Sequence, residues 1–337
     1  MIAALTAAAC SLPGAFLVFR RMSMMTDAIT HSILLGIVLA FFKTHDLGSP
    51  WLIVGATLMG VVTVYLTETL TETRLIKEDA AIGVVFSTLF SVAIILIALN
   101  ARSVHIDTDS VLLGELAFAP FDRMIAFGRD IGARGLYTSG FVFVLNVVVI
   151  RIFYKELQLT TFDPAFAATI GFSPMAVHYV LMFLASLTSV VAFESVGAVL
   201  VVAFMIIPPA TASFLSDKMK VQFILSVIIG ALSGILGYRV AVELDVSIAG
   251  CMAVVCGLIF LLTFLFAPKR GLISAQIRHW NRKIEFDRFT LLTHLINHAG
   301  SEIEAQENSA ETLPYHLNWS RRRVERASSR LRQQGAI

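Results

Sequence analysis

Nine stretches of about twenty mostly apolar residues constrain this chain more than any other feature, because one helix needs that length to cross the hydrocarbon core of a bilayer. They fall at 1–19, 24–42, 51–70, 80–99, 136–154, 175–192, 194–215, 221–242 and 247–267. Of the 337 residues, 57% are hydrophobic and 15% charged, against about 45–50% and about 25% in soluble domains. A soluble chain could not bury so much apolar surface. The expected fold is therefore all-α, a polytopic membrane protein with about nine transmembrane helices. A free cytosolic enzyme, a disordered chain and a secreted disulfide scaffold are excluded. Cys10, Cys251 and Cys256 all lie within apolar runs and define no disulfide framework or Cys-x-x-Cys site. The first run is read as a span and not as a signal peptide, because Arg20 and Arg21 follow it instead of preceding it. It is short and interrupted by Pro13-Gly14.

Charge divides the chain. Residues 1–267 carry 14 Lys and Arg against 17 Asp and Glu, net −3, whereas 268–337 carry 12 against 7, net +5. The break at Ala267-Pro268-Lys269-Arg270-Gly271 places a domain boundary between a membrane domain, 1–267, and a tail, 268–337. Lys and Arg favour the cytoplasmic ends of spans. With the N-terminus outside, the inner loops hold Arg20/Arg21, Arg74/Lys77, Lys155, Lys218/Lys220 and Lys269/Arg270. The outer connections hold Lys43, Arg239 and a longer segment, 100–135, with four arginines. The tail is then cytoplasmic.

Three features interrupt the apolar pattern. Asp27 and His31, at the start of the second run, are spaced i and i+4 and so share a helix face. An ionisable residue inside a span is a functional hypothesis by default, and carboxylate with imidazole suits manganese, iron or zinc. Taken alone, the pair fits equally well a helix cap at Asp27 and a histidine bonded to a neighbouring helix. Two residues also leave a coordination shell incomplete. The adjacent row Ala28, Ser32, Gly36 and Ala40 is a stripe of small residues that lets another backbone approach closely.

The second feature is the polar interruption at 160–174. Asp163 is a good N-cap, Pro164 a good first helical residue, and Gly171 a residue that can end a helix in the left-handed conformation. A helix of about seven residues follows between two spans, on the cytoplasmic side. An ordinary amphipathic connection explains it as well, although Phe166 and Ile170 give it an apolar face suited to docking another protein. In the third feature, Glu194 lies between two apolar runs and Pro208-Pro209 interrupts the next. The double proline removes backbone donors and is expected to break or kink its helix, which serves a gate or a static bend alike.

These features occur in one order with others: Gly14-Ala15-Phe16-Leu17-Val18 and Arg20-Arg21-Met22; Asp27-Ala28-x-x-His31-x-x-x-Leu35-Gly36; Asp79-x-Ala81-Ile82-Gly83 and Leu113-Gly114; Phe162-Asp163-Pro164-x-x-Ala167-x-x-x-Gly171; Val196-Gly197; and Pro208-x-Ala210-Thr211-Ala212. In that order and spacing, over about residues 1–270, the chain resembles the membrane permease subunits of bacterial ABC importers for manganese, zinc and iron. The resemblance implies a type II ABC importer-like permease in the cell (inner) membrane. It implies pairing with a second permease subunit as a homo- or heterodimer, a cytoplasmic ABC ATPase subunit, and an extracytoplasmic metal-binding protein. It implies that Asp27 and His31 touch the transported ion, and that Asp163, Pro164, Ala167 and Gly171 form the element seated in the ATPase. No cofactor is expected to be bound permanently, the divalent ion being cargo. No Gly-x-x-x-x-Gly-Lys-Ser/Thr phosphate loop occurs, so ATP hydrolysis belongs on a partner. The chain departs from the pattern in starting almost inside its first run and in carrying a longer tail. The alternatives are a secondary metal transporter or channel using the Asp/His pair, and a membrane-tethered metal-responsive regulator. A membrane enzyme comes third, far below the transporter readings, since His-Glu-x-x-His and Gly-x-Ser-x-Gly are absent, and the tethered regulator is a fourth class that rests only on the tail.

The tail supports the regulator only in part. A helix is expected from Phe286 to before Gly300, a polar linker over 301–311, a short helix at 313–317, and a basic helix from Ser320 to Gly335. That order resembles an incomplete winged-helix module, a helix-turn-helix without its wing. Arg321, Arg322, Arg323, Arg326, Arg330 and Arg332 would give the last helix a strong field, attractive to any polyanion or anionic lipid. A regulatory or packing module is expected, not a reader of DNA sequence. His279, His294, His298 and His316 could serve as a metal sensor, but only His294 and His298 have helical spacing, and a solvated face explains them better.

Overall fold

The structure is a computed structural model, and it describes residues 1–46, 49–100, 116, 123–126, 129–300, 308–309 and 311–333. The chain divides into two compact units, Met1–Phe264 and Leu265–Ile337. Among the described residues of the first unit, nine helices are long and apolar enough to cross a membrane: α1 (Ile2–Phe19), α2 (Ser23–Thr44), α3 (Pro50–Glu72), α4 (Glu78–Asn100), α5 (Arg134–Ile152), α8 (Pro174–Val196), α9 (Ala198–Leu215), α10 (Met219–Leu244) and α11 (Ile248–Phe266). Two shorter helices, α6 (Tyr154–Phe162) and α7 (Pro164–Thr169), fall between α5 and α8.

The distribution of side chains is that of a protein solvated by lipid. Large apolar residues cover the outside, among them Leu99, Phe141, Val254 and Phe266, each more than half exposed. The interior holds Thr6, Ser11, Ser32, Thr63, Asn146, Ser186 and Thr188, all buried. Without a hydrophobic driving force between spans, small residues and interhelical hydrogen bonds hold such helices together. Thr63 Oγ1 donates to Ser32 Oγ at 2.6 Å, Ser186 Oγ to the Thr57 carbonyl at 2.9 Å, and Thr6 and Ser139 share a bond of 2.9 Å. The small-residue row of α2 is spent on α3. A Cβ on Gly36 would stand 2.4 Å from the Gly55 carbonyl oxygen, so any side chain there would push the two helices apart.

α1 lies at the centre, packed against α5, α8, α9 and α10, and its prolines and glycines explain how. Pro13 has no N–H to offer the carbonyl of Ala9; Asn146 Nδ2 of α5 donates to that oxygen instead, at 3.1 Å. In α9, Pro209 likewise frees the Met205 carbonyl, and Gly14 of α1 comes against it, so closely that a Cβ there would lie 2.0 Å away. Of the break or kink expected at Pro208-Pro209, the break does not occur. α9 runs unbroken from Ala198 to Leu215 with both prolines buried, because neighbouring helices occupy the space beside the freed carbonyls.

Two connections differ from expectation. The polar stretch Tyr-Lys-Glu-Leu-Gln-Leu-Thr-Thr-Phe at 154–162 forms α6, a helix the apolar pattern could not reveal. Within the segment 100–135, β1 (Arg123–Ala126) and β2 (Arg129–Ala133) pair antiparallel, a small sheet added to the helical fold. Arg123 pairs with Asp130 across it and holds that carboxyl below the usual range. The motif residues Leu113-Gly114 lie outside the described residues.

In the second unit, α12 runs Leu272–His298, starting well before Phe286, and is followed by α13 (Leu313–His316) and α14 (Arg321–Gln333). Leu291, Leu313, Val324, Ala327 and Leu331 form its core. Arg323 forks onto Asp287 at 3.0 and 2.5 Å and lies 4.3 Å over the Trp319 ring. One of the six arginines is thus spent inside the module, its pKa raised by that carboxylate. Residues 301–307 of the expected linker and Gly335 lie outside the described residues.

Candidate metal path and coupling segment

α2 begins at Ser23 with Met22 as its N-cap, so Asp27 lies one turn inside the helix and is not its cap. At 1.5 Å per residue, Asp27 and His31 lie about 6 and about 12 Å along it. His31 Nε2 is 3.4 Å from Asp27 Oδ1, and the two side chains are 30% and 39% exposed. Both are partly exposed, whereas the flanking Thr26, Ala28, Thr30 and Ser32 are buried. Phe86 and Phe90 of α4 flank the imidazole, with ring centroids at 5.7 and 5.8 Å. The result is one carboxylate and one imidazole converging on open space with an aromatic wall behind. Among the described residues no group of three or more His, Cys, Asp or Glu is placed to hold a metal ion.

The segment 163–171 forms for the reasons its sequence gives. Asp163 Oδ1 accepts from the Phe166 N–H at 2.9 Å, and Pro164 takes the first helical position. At the other end, Gly171 N–H donates to the Ala168 carbonyl and Phe172 N–H to that of Ala167, both at 3.1 Å. Gly171 has φ +98°, a left-handed residue closing the helix. Ser173 caps α8 at once, accepting from Ala176 N–H at 3.3 Å. Ala167 is fully buried, whereas Phe162, Phe166 and Ile170 are more than half exposed. Three large apolar groups thus stand out from a turn of two short helices.

Glu194 is exposed on the last turn of α8, and Gly197, with φ +80°, makes the elbow into α9. Pro208 and Pro209 lie in the covered part of α9, away from that elbow in sequence. Glu194 therefore stands on a surface and the prolines in the core.

A further polar group escaped sequence reasoning. Arg20, Glu68 and His178, from three helix ends, form one network with Thr160, Thr161 and Tyr179. The available signal was that Glu68 and His178 are ionisable residues within apolar runs. Nothing in the sequence pairs residues so far apart.

The chain can be set beside known proteins on this geometry. A family model described as the ABC 3 transport family matches residues 1–267. The chain belongs to the ABC 3 transport family. The zinc transport system membrane protein TroD of Treponema pallidum is 41% identical over 337 residues, covering 100% of this chain and 92% of that protein. The manganese transport system membrane protein MntD of Bacillus subtilis is 43% identical over 281 residues, 83% of this chain and 95% of that one. A chain of the solved PsaBC from Streptococcus pneumoniae in complex with Fab has 28% identity and a TM-score of 0.69, covering 82% of this chain and 92% of that one. The likeness to TroD extends through the tail, which the family model does not include.

Proposed function

We infer that this member of the ABC 3 transport family is the membrane permease subunit of an ATP-driven importer for a divalent transition metal, manganese, zinc or iron. The observation that carries the reading is the Asp27–His31 pair, partly exposed on one face of a membrane-spanning helix of an ABC 3 permease. The names of TroD and MntD, zinc and manganese transport proteins, support the substrate class. A bare divalent ion needs oxygen and nitrogen donors in place of its water, and this face offers one of each. The open side of the pair suits a second permease copy, whose own pair would complete the shell.

Energy comes from outside the chain. A cytoplasmic ABC ATPase subunit would seat α7, with Phe166 and Ile170 as its contacts and the caps at Asp163 and Gly171 fixing its angle. An extracytoplasmic metal-binding protein would deliver the ion near Glu194, the outer gate in this reading, with Pro208-Pro209 marking the stretch of α9 against which α1 packs. The N-terminus is then outside and the tail cytoplasmic, where it regulates the complex.

Accumulation of manganese, iron and zinc in a deletion strain, with and without the gene restored, tests this. Restoration of one metal's uptake, dependent on the ATPase gene, is expected. Equal accumulation of all three with and without the gene refutes the reading. Uptake that survives loss of the ATPase would instead make the chain a secondary transporter.

A further inference from the structure

Arg20 follows the last residue of α1 and starts the elbow Arg20-Arg21-Met22 that leads into α2. The elbow is held tightly: Arg21 N–H donates to the Val18 carbonyl at 3.1 Å and Met22 N–H to that of Leu17 at 2.9 Å, with Arg21 at φ +61°. A left-handed conformation at a residue other than glycine persists only where its surroundings enforce it. The Arg20 side chain is part of that enforcement. Its Nε donates to Thr161 Oγ1 at 3.1 Å and its Nη2 to Thr160 Oγ1 at 3.0 Å, both on α6. Its Nη1 lies 3.1 Å from His178 Nδ1, on the first turns of α8.

The protons in this network follow from the donors. A guanidinium only donates, so His178 Nδ1 accepts, and the neutral ring carries its proton on Nε2. That nitrogen is 2.6 Å from Glu68 Oε1, at the end of α3. Glu68 Oε2 accepts from Tyr179 OH at 3.0 Å. On the other side the two threonines pass the chain of bonds into the α6 backbone, donating to the carbonyls of Glu156 and Leu157 at 2.8 and 2.6 Å. The fork therefore ties the end of α1 to α6 and α8, and Glu68 of α3 joins the network through its contact with His178 and its bond from Tyr179. Arg20, Glu68, Thr160, His178 and Tyr179 line a cavity of about 660 Å³ that also reaches Pro164, the first residue of α7.

α6 and α7 are continuous through their shared cap: Asp163 N–H donates to Leu159 and the Asp163 carbonyl accepts from Ala167. Those two bonds join α7 to the turn of α6 that carries Thr160 and Thr161, and Arg20 is where those residues meet the elbow of the helix carrying Asp27 and His31. Resting on the permease reading above, we propose that Arg20 is a positioning residue for transport, passing movement of the α6–α7 segment to α2 and so to the metal-facing pair. A network of fixed donors and acceptors has discrete arrangements, which is what lets it transmit a change of state instead of absorbing it. Lysine cannot replace the fork, since it offers a point charge without the planar geometry.

The test uses the assembled importer, permease with its ATPase and binding protein, in proteoliposomes supplied externally with Mn²⁺. The readout is ATP hydrolysed per Mn²⁺ accumulated. Arg20→Gln is expected to raise that ratio roughly tenfold, within the range for energetic coupling between sites, while the ATPase still co-purifies. Arg20→Lys should fall between the two. Thr160→Val with Thr161→Val removes the α6 side of the fork and changes no charge; it should raise the ratio as well, and it decides the matter if Arg20→Gln fails to assemble. An unchanged ratio in the threonine variant refutes the proposal, and so does a proportional fall of hydrolysis and transport in Arg20→Gln, the mark of a merely structural role. If the wild-type complex hydrolyses ATP but accumulates no Mn²⁺, it is the permease reading with manganese as cargo that fails, not the role of Arg20.

Discussion

Asp27 and His31 show how far single residues carry an argument. Their spacing alone puts them on one face of a helix, and their heads lie 3.4 Å apart with neither acting as a cap. What the sequence could not supply is their exposure, which depends on how α2 rolls against α3, a matter decided by the close approach of Gly36 to Gly55. Asp27→Ala and His31→Ala should each lower metal uptake at least about tenfold, since even residues that only support a metal ligand cost that much when lost. Radiolabelled metal accumulation, normalised to permease in the membrane, measures it. Full uptake by a well-expressed double variant would remove the pair from the path. Arg20 teaches the opposite lesson. In the sequence it reads as one more cytoplasmic charge, because its partners Thr161 and His178 lie 141 and 158 positions away.

Among elements, long apolar spans are legible in the sequence and short polar helices are not. α7 can be read because its caps are local: Asp163, Pro164 and Gly171 act on their own neighbours. α6 cannot, since Tyr154–Phe162 carries neither an apolar run nor a strong cap. The double proline misleads because helix breaking is a rule for isolated helices; in α9 the surrounding spans hold the segment together. The exposed apolar groups of α7 predict a partner. Phe166→Asp should abolish co-purification of the ATPase subunit while leaving membrane insertion intact, since a charge in a docked apolar contact costs its full desolvation. Gly171→Val, a β-branched residue at φ +98°, should weaken the same association by about 1–2 kcal/mol, the cost of a left-handed conformation. Pull-down from detergent-solubilised membranes reads both, and retention of the ATPase by both variants would leave 163–171 as a connector.

At the scale of the molecule, the composition break near Ala267 and the division into Met1–Phe264 and Leu265–Ile337 separate a membrane unit from a small helical one. Deleting 275–337 removes most of α12 and all of α13 and α14 but none of the nine spans found among the described residues. The truncated chain should insert, assemble with the ATPase and retain transport, with an altered response to external metal. Loss of insertion would show that the tail is needed for the fold. The core of that unit is partly readable from the Val324, Ala327, Leu331 face. The full length of α12 is not, because its first half, Leu272 to Glu285, mixes charged and apolar residues without a clean stripe.

The contact between Asn146 and the Ala9 carbonyl has a consequence for synthesis. Spans enter the bilayer in order from a ribosome, and α1 arrives with a carbonyl that its own Pro13 has deprived of a partner. Relief comes from α5, whose Asn146 follows Ala9 by 137 positions. Until then α1 carries a polar defect at membrane depth, where an unmet backbone group costs several kcal/mol. The first span thus stays partly unsatisfied through the synthesis of α2, α3 and α4, and it should linger near water, the translocon or a chaperone until α5 docks. Asn146→Leu should extend that wait indefinitely. Pulse-chase labelling should show α1 sensitive to membrane-quality proteases long after synthesis, whereas in the wild type protection should coincide with the emergence of α5.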